Sequence, residues 1–338
     1  MPHQMKCFET SFQHGLTMLI VALVSGTAAE GALSRIAINY ERGSTNLPVL
    51  SWATVPGKSY FLLSTPSISQ PWSAVNPAPL LGTTNRMVYT DSNVIGSRLY
   101  QVVELNTIIE VSLAGTSVQS WPANNGWAPP SQSFSATGIQ AFLALGAWWD
   151  GNSGRTGLPT DSNGSFSFAV TPKFGNYPVQ VQVAYQTNLA SGGHVVTPAA
   201  IGSSGDGYFL LVQVQGMGPS LIVRDSGYAI NQHTAYGPGD PNVILSATIT
   251  TDGSAAQVGD LAVAVFGQDD YEDNNQMSLP AGWTFLGVGN HATDNICYSA
   301  CYKIVGSPGR QSVTCSWVDT SCFVTAAAIV VFKQAGTP

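Results

Sequence analysis

The spacing of apolar runs constrains this chain more than any other feature. Short segments rich in Val, Ile, Thr, Tyr and Phe recur along it, and Gly, Pro, Asn and Asp break them apart. Val179-Gln-Val-Gln-Val-Ala-Tyr185 alternates apolar and polar residues, the pattern of a half-buried strand. The runs 208–215, 243–250, 260–266, 296–305, 311–317 and 323–332 are strands on the same grounds. The run 139–149 is long enough for a helix. Gly146, the tandem Trp148-Trp149 and the turn Asp150-Gly-Asn-Ser153 instead predict a strand. Charged residues make up 9%, against roughly 25% in soluble domains, too few for the wet faces of many helices. With 35 Gly and 20 Pro to supply turns, the expectation is an all-β protein.

At 338 residues two domains are the default. Residues 1–29 predict an export signal: Lys6, the apolar stretch 16–24, then Ser25-Gly-Thr-Ala-Ala29 for cleavage. That stretch is too short to span a bilayer, which takes about 20 residues. The expected product is secreted, extracellular or periplasmic, with no membrane span after cleavage. Net charge is −7, from 12 basic and 19 acidic residues. Without a basic cluster a phosphate backbone has nothing to attract it, which argues against a nucleic-acid partner.

Residues 33–105 form the first predicted domain. Leu50-Ser-Trp52, Pro56-Gly57, Tyr60, Trp72 and Arg98-Leu-Tyr100-Gln-Val-Val-Glu-Leu105 resemble the Ig-like, fibronectin-III-like modules of secreted bacterial proteins. Gln101 stands where that pattern has Arg. The resemblance implies a small sandwich with its aromatics in the core and a spacer role. Residues 106–335 form the second. Gly259-Asp-Leu-Ala-Val-Ala-Val-Phe266, Pro280-Ala-Gly-Trp-Thr284, Tyr298-Ser-Ala-Cys-Tyr-Lys303 and the run 316–332 resemble an uncharacterised jelly-roll domain of secreted bacterial and phage-associated proteins. This implies a larger β-sandwich of jelly-roll type (concanavalin- or galactose-binding-like) and a binding or adhesive role, with no catalytic motif to transfer. A short echo links 139–152 to 261–275: in both, an apolar run exits into an acidic, Asn-containing segment. It suggests corresponding strands in a two-sheet jelly roll.

Four cysteines follow the predicted signal: Cys297, Cys301, Cys315 and Cys322. In an oxidising compartment they are candidates for one or two disulfides, with three pairings open. Free buried thiols are the alternative; the C-x3-C and C-x6-C spacings are poor for zinc. No Ser-hydrolase elbow is present, since Gly202-Ser-Ser-Gly205 lacks the pattern. His194, His233 and His291 read as exposed loop residues. The acidic segment containing Asp269, Asp270, Glu272 and Asp273, with Asp294 nearby, offers oxygen ligands for calcium, the one cofactor the sequence suggests; a solvated loop is the plainer reading. Trp121, Trp127, Trp148, Trp149 and Tyr271 are candidates to stack on sugar rings, and Trp283 is expected to pack under a turn. These features rank a non-catalytic protein that binds a glycan or cell-surface polymer first. An adhesive surface protein follows, then a polysaccharide lyase or hydrolase.

Overall fold

A computed structural model describes residues 39–42, 47–56, 58–67, 69–70, 72–76, 79–92, 98–105, 109–119, 131–136, 141–150, 157–170, 179–187, 189, 192–198, 205–217, 221–232, 246–269, 277–290, 296–317 and 324–333. Every regular element among them is a strand, as the sequence predicts. The chain divides into two compact units: Met1–Ile108 with Gly306–Pro308, and Ile109–Val305 with Gly309–Pro338.

In the first unit, β1 (Asn39–Arg42), β2 (Pro48–Ala53) and β6 (Arg86–Thr90) form one antiparallel sheet. In the other sheet, β3 (Ser59–Thr65) pairs with β7 (Leu99–Glu104) and with the short β4 (Ser73–Ala74) and β5 (Leu80–Leu81). Leu50, Trp52, Leu62 and Tyr100 fill the space between them. The aromatics at 52, 60 and 100 are all buried. The Tyr100 hydroxyl donates to Asp91 at 2.8 Å, so its one polar atom is satisfied inside the core.

The second unit is a duplication. In its first half, β8 (Glu110–Gln119), β10 (Ala141–Asp150), β13 (Ser167–Val170), β14 (Val179–Gln186) and β16 (Gly205–Gln215) form a five-stranded sheet, in the order β13-β14-β10-β16-β8. A smaller sheet holds β12 (Gly164–Ser165), β11 (Thr160–Asp161), β15 (Gly192–Thr197) and β9 (Gln132–Ala136). In the second half, β17 (Ile222–Gln232), β23 (Val324–Lys333), β19 (Leu261–Asp269), β21 (Ile296–Ile304) and β20 (Thr284–Asn290) form a five-stranded sheet in that order. Beside it β18 (Ser246–Thr250) pairs with β22 (Ser312–Ser316). Reversed, the first order becomes β8-β16-β10-β14-β13, which matches β17-β23-β19-β21-β20 strand for strand. Registers match as well. Ala141 pairs with Val214 as Leu261 pairs with Phe332, and Leu143 with Tyr185 as Val263 with Tyr302. Phe168 pairs with Ala184 as Phe285 pairs with Cys301, and each edge strand then slips register at the next step, the mark of a bulge. The sequence echo therefore falls on β10 and β19, the middle strands of two successive sandwiches rather than two strands of one.

The two halves pack through their five-stranded sheets. Leu143, Leu145, Val181, Val183, Leu210 and Val212 meet Val263, Val265, Ala300, Ala328, Val330 and Phe332 in one core. Tyr208 and Tyr298 stack across it at 4.3 Å, and the Tyr228 hydroxyl accepts the Val181 N–H at 3.3 Å. The opposite faces are covered too. Val196 and Phe166 lie against Phe142, Ala184 and Phe209, while Ile249 and Val313 lie against Phe266 and Ile329. The result is four layers of sheet. Strands of the inner layers are buried on both faces (in β14 every residue is buried except the half-buried Tyr185), whereas outer β18 alternates. Gln180 and Gln182, which the alternation assigns to solvent, are buried as well. Outward faces are wetted by hydroxyls rather than charges: Thr248 contacts Thr314 at 2.7 Å, and Thr250 donates to Ser312 at 2.9 Å. That is how a chain with 9% charged residues presents a polar surface.

Gly267 sits where the inner sheets approach. A Cβ there meets Val179, Ala147 and Val181 at 3.1–3.2 Å. Gly267→Val is therefore expected to lose about 1–3 kcal/mol by overpacking, read as a lower urea midpoint; an unchanged midpoint means that the two sheets do not pack this closely.

Candidate functional site

Two groups of buried polar side chains lie on the covered outer faces of the five-stranded sheets. The first is centred on His194. Gly192–Thr197 alternates in burial and turns His194 inward, where its Nδ1 lies 2.7 Å from Asp161 Oδ2, both side chains fully buried. Gln186 Nε2 donates to the same oxygen at 2.9 Å. Asp161 opens the β11–β12 hairpin, and Asn163 at its tip donates to the Gly193 carbonyl at 2.7 Å. The closeness of this joint leaves no room at Gly164, where a Cβ falls 1.8 Å from Gln186 Nε2. His194 is thus an enclosed strand residue and not the exposed loop residue that Gly192-Gly193 suggests. Burial alone raises the Asp161 pKa. Hydrogen bonds from His194, Gln186 and the Asn163 backbone, with the charge on His194, outweigh it and hold the carboxyl below its ordinary range.

A His–Asp pair is also the base half of a hydrolase triad. Here both members are sealed between two sheets and face internal partners, so the pair acts as a clasp joining the hairpin to β14 and β15.

The second group lies at one rim of the stack. Register places Gln119, Gly207, Trp148 and Gln180 in one row across β8, β16, β10 and β14. The matching row of the second half runs through Thr325, Gln268 and Cys297 on β23, β19 and β21. Gln180, Gln182, Gln268 and Thr325 are each at least 95% buried, with relative exposures of 1%, 5%, 1% and 1%. Neither amide atom of Gln180 or Gln268 has a hydrogen-bond partner, nor do Gln182 Nε2 and Thr325 Oγ1. Each buried unpartnered group costs about 1–3 kcal/mol; Gln180, Gln268 and Thr325 stand in these rows, and Gln182 lies two residues further along β14. Gly267 against Ala147, Val179 and Val181 shows that the two rims lie at the same end of the stack.

Connecting segments 120–130, 151–156, 171–178 and 199–204 leave strand ends at the first rim. Segments 233–245, 270–276, 291–295 and 318–323 leave strand ends at the second. Trp121, Trp127, Asp270, Tyr271, Glu272, Asp273 and Asp294, with His233, His291 and Cys322, belong to these segments and lie outside the described residues. Trp148, Trp149 and Asp269 close β10 and β19. The rim amides escaped the sequence reading because a strand of alternating Gln and Val looks like one with a wet face.

Other candidates fare differently. Trp283 packs under its turn against the outer core of the second half, with Lys303 Nζ 4.9 Å from the ring centroid. Burial pushes the Lys303 pKa down. The disulfide expectation needs correction among the described cysteines: Cys297, Cys301 and Cys315 are buried, and none is bonded to another. Cys297 and Cys301 share β21, and four residues of strand separate them by about 13 Å, too far to bridge. Cys315 lies on the facing sheet, its Sγ 3.4 Å from Ser299 Oγ. Burial pushes both the Cys301 and Cys315 thiols up, away from the reactive thiolate. Among the described residues no cluster of His, Cys, Asp and Glu is placed to hold a metal, and no helix is long and apolar enough to cross a membrane.

Comparison with protein-family models, with curated proteins and with solved structures finds no match to this chain.

Two outcomes follow from this geometry. A carboxyl whose pKa is lowered on folding contributes stability above its unfolded value, near 4, and loses it as pH falls through the folded value. Thermal midpoints should therefore drop below about pH 4. Asp161→Asn should cost about 3–5 kcal/mol at neutral pH and remove that component of the acid dependence; equal midpoints for both proteins at pH 7 contradict the clasp. Under non-reducing conditions Cys297, Cys301 and Cys315 should resist a thiol reagent in the native protein and label once it is denatured. If mass spectrometry finds any of the three unlabelled until reductant is added, the assignment as unbridged cysteines is wrong.

Proposed function

We propose that the mature protein is a secreted, non-catalytic binding protein that recognises a glycan or cell-envelope polymer at the segment-bearing rim of its duplicated sandwich. One observation carries the reading: strand register gathers at a single end of the stack the attachment points of every segment holding Trp121, Trp127, Tyr271 and the acidic residues. Aromatic rings stack on sugar faces, while amides and carboxylates orient hydroxyls. Calcium fits this reading at the second rim. Asp269 pairs with Ile296, so the segments bearing Asp270 and Asp294 leave adjacent strand ends. The export segment and the spacer-like first unit agree with a role outside the cell.

The test is retention of the protein from Glu30 onward on a panel of soluble and insoluble polysaccharides, with and without EDTA, alongside an assay for released sugar. Binding without release, weakened by EDTA, is the expected result. Release of sugar makes the protein an enzyme, and silence across the panel removes the reading.

A further inference from the structure

We infer that Gln268 and Thr325 close an intramolecular ester bond, which staples the middle strand of the second half to its last strand. The cross-link lies inside the fold and does not depend on the polymer-binding role proposed above.

Gln268 on β19 and Thr325 on β23 are directly opposed in the antiparallel ladder. Side chains so opposed stand on one face of a sheet, with Cβ atoms about 4.5–5.5 Å apart. Here that face is the outer one. Val263, Val265, Ala326 and Ala328 turn into the inner core, while Ala264, Phe266, Ala327 and Ile329 turn the other way, and Gln268 and Thr325 continue the second set. Both are 1% exposed. Rotation about the glutamine side-chain bonds is enough to bring its Cδ against a hydroxyl at that separation.

Thr325 Oγ1 and both amide atoms of Gln268 have no hydrogen-bond partner. A hydroxyl nucleophile and a carboxamide are therefore held side by side, neither tied up by another group, which is the proximity that makes an intramolecular reaction fast. In the step Thr325 Oγ1 adds to Gln268 Cδ, and the Cδ–Nε2 bond then breaks. The hydroxyl proton passes to the nitrogen, which departs as ammonia. Nothing is oxidised or reduced and no co-reactant enters. The product also removes the burial penalty: the unpartnered N–H and O–H donors are gone, and with them the cost of leaving them unmade. Burial then keeps bulk water from hydrolysing the ester.

The neighbours narrow the choice of bond. Cys297 opposes Gln268 from the other side, on β21, but it already has an interaction of its own, whereas the Thr325 hydroxyl has no hydrogen bond to give up. In the first half Gln180 and Gln182 face Trp148 and Gly146 on β10, which offer no nucleophile. The cross-link is therefore single and belongs to the second half. It closes the long loop between β19 and β23 and keeps the last strand from peeling off its sheet.

Mass spectrometry of the protein from Glu30 onward, reduced and denatured, tests this. The expected mass lies one ammonia below that of the sequence. In a tryptic digest the peptides carrying Gln268 and Thr325 should appear as one species, and hydroxylamine should separate them. Thr325→Val keeps the side-chain shape without the hydroxyl. It should restore the full mass and melt roughly 10 °C below the wild type, the loss expected for a cross-link closing a long loop. Gln268→Leu should restore the full mass as well. The reading on the wild-type protein stands even if a variant fails to fold. A wild-type chain of full mass overturns the inference. So does a deficit that survives Thr325→Val, or a digest that joins Gln268 to Cys297 instead.

Discussion

The apolar contact between the two five-stranded sheets is the interaction on which the second unit depends. Leu143, Leu145, Val181, Leu210, Val263, Val265, Val330 and Phe332 are all fully buried or nearly so, and burying each such side chain stabilises by about 1.5–3 kcal/mol. Neither sheet can do without the other, because the inward residues of both are apolar along their whole length. That contact also fixes where polar groups can go. Once the inward faces are committed to each other, the glutamines of the inner strands and Thr325 sit on outward faces, and the hydroxyls left between the sheets are those of Tyr208, Tyr228 and Tyr298. The small sheets then cover those faces.

Covering a polar face has two solutions in this molecule. Around His194, Asp161 and Gln186 the polar atoms find one another, with Gln186 Oε1 the one unpartnered atom of that clasp. At the rim, Gln180 and Gln268 find nothing within the protein. The contrast matters for function. A satisfied buried network is a device of folding, whereas buried polar atoms left without partners imply that something else supplies them. The outermost faces need no such device, because paired threonines and serines there are hydrated directly.

Much of the fold was legible in the sequence. Turn residues and β-branched runs placed most strands of the two five-stranded sheets, and Gly146 with the tandem Trp argued against a helix at 139–149, but β13, β17, β20 and the small sheet of β9, β11, β12 and β15 were not read. Burial was less legible. Val-Gln-Val-Gln at 179–182 obeys the alternation of a strand with one wet face, and only the tertiary arrangement reveals that the glutamines are buried. His194 was obscured in the same way, since Gly192-Gly193 reads as a loop although the strand begins there. The duplication left only the faint echo between β10 and β19. What the halves share is register and the position of a bulge, and these impose little on residue identity. At the candidate site the sequence found the aromatic and acidic segments that leave the rim but missed the amides beneath them.

Face-to-face packing of matched sheets has a consequence for how such a molecule is assembled. Because the same rows of the two halves meet, the contact has the self-complementary character of a twofold homodimer interface, here enclosed within one polypeptide. A half on its own exposes a wholly apolar sheet and needs a second copy to cover it. Tandem fusion makes that partner permanent and keeps its local concentration independent of expression level. It also releases the halves from strict identity, so each can alter its own rim while the shared interface is held constant.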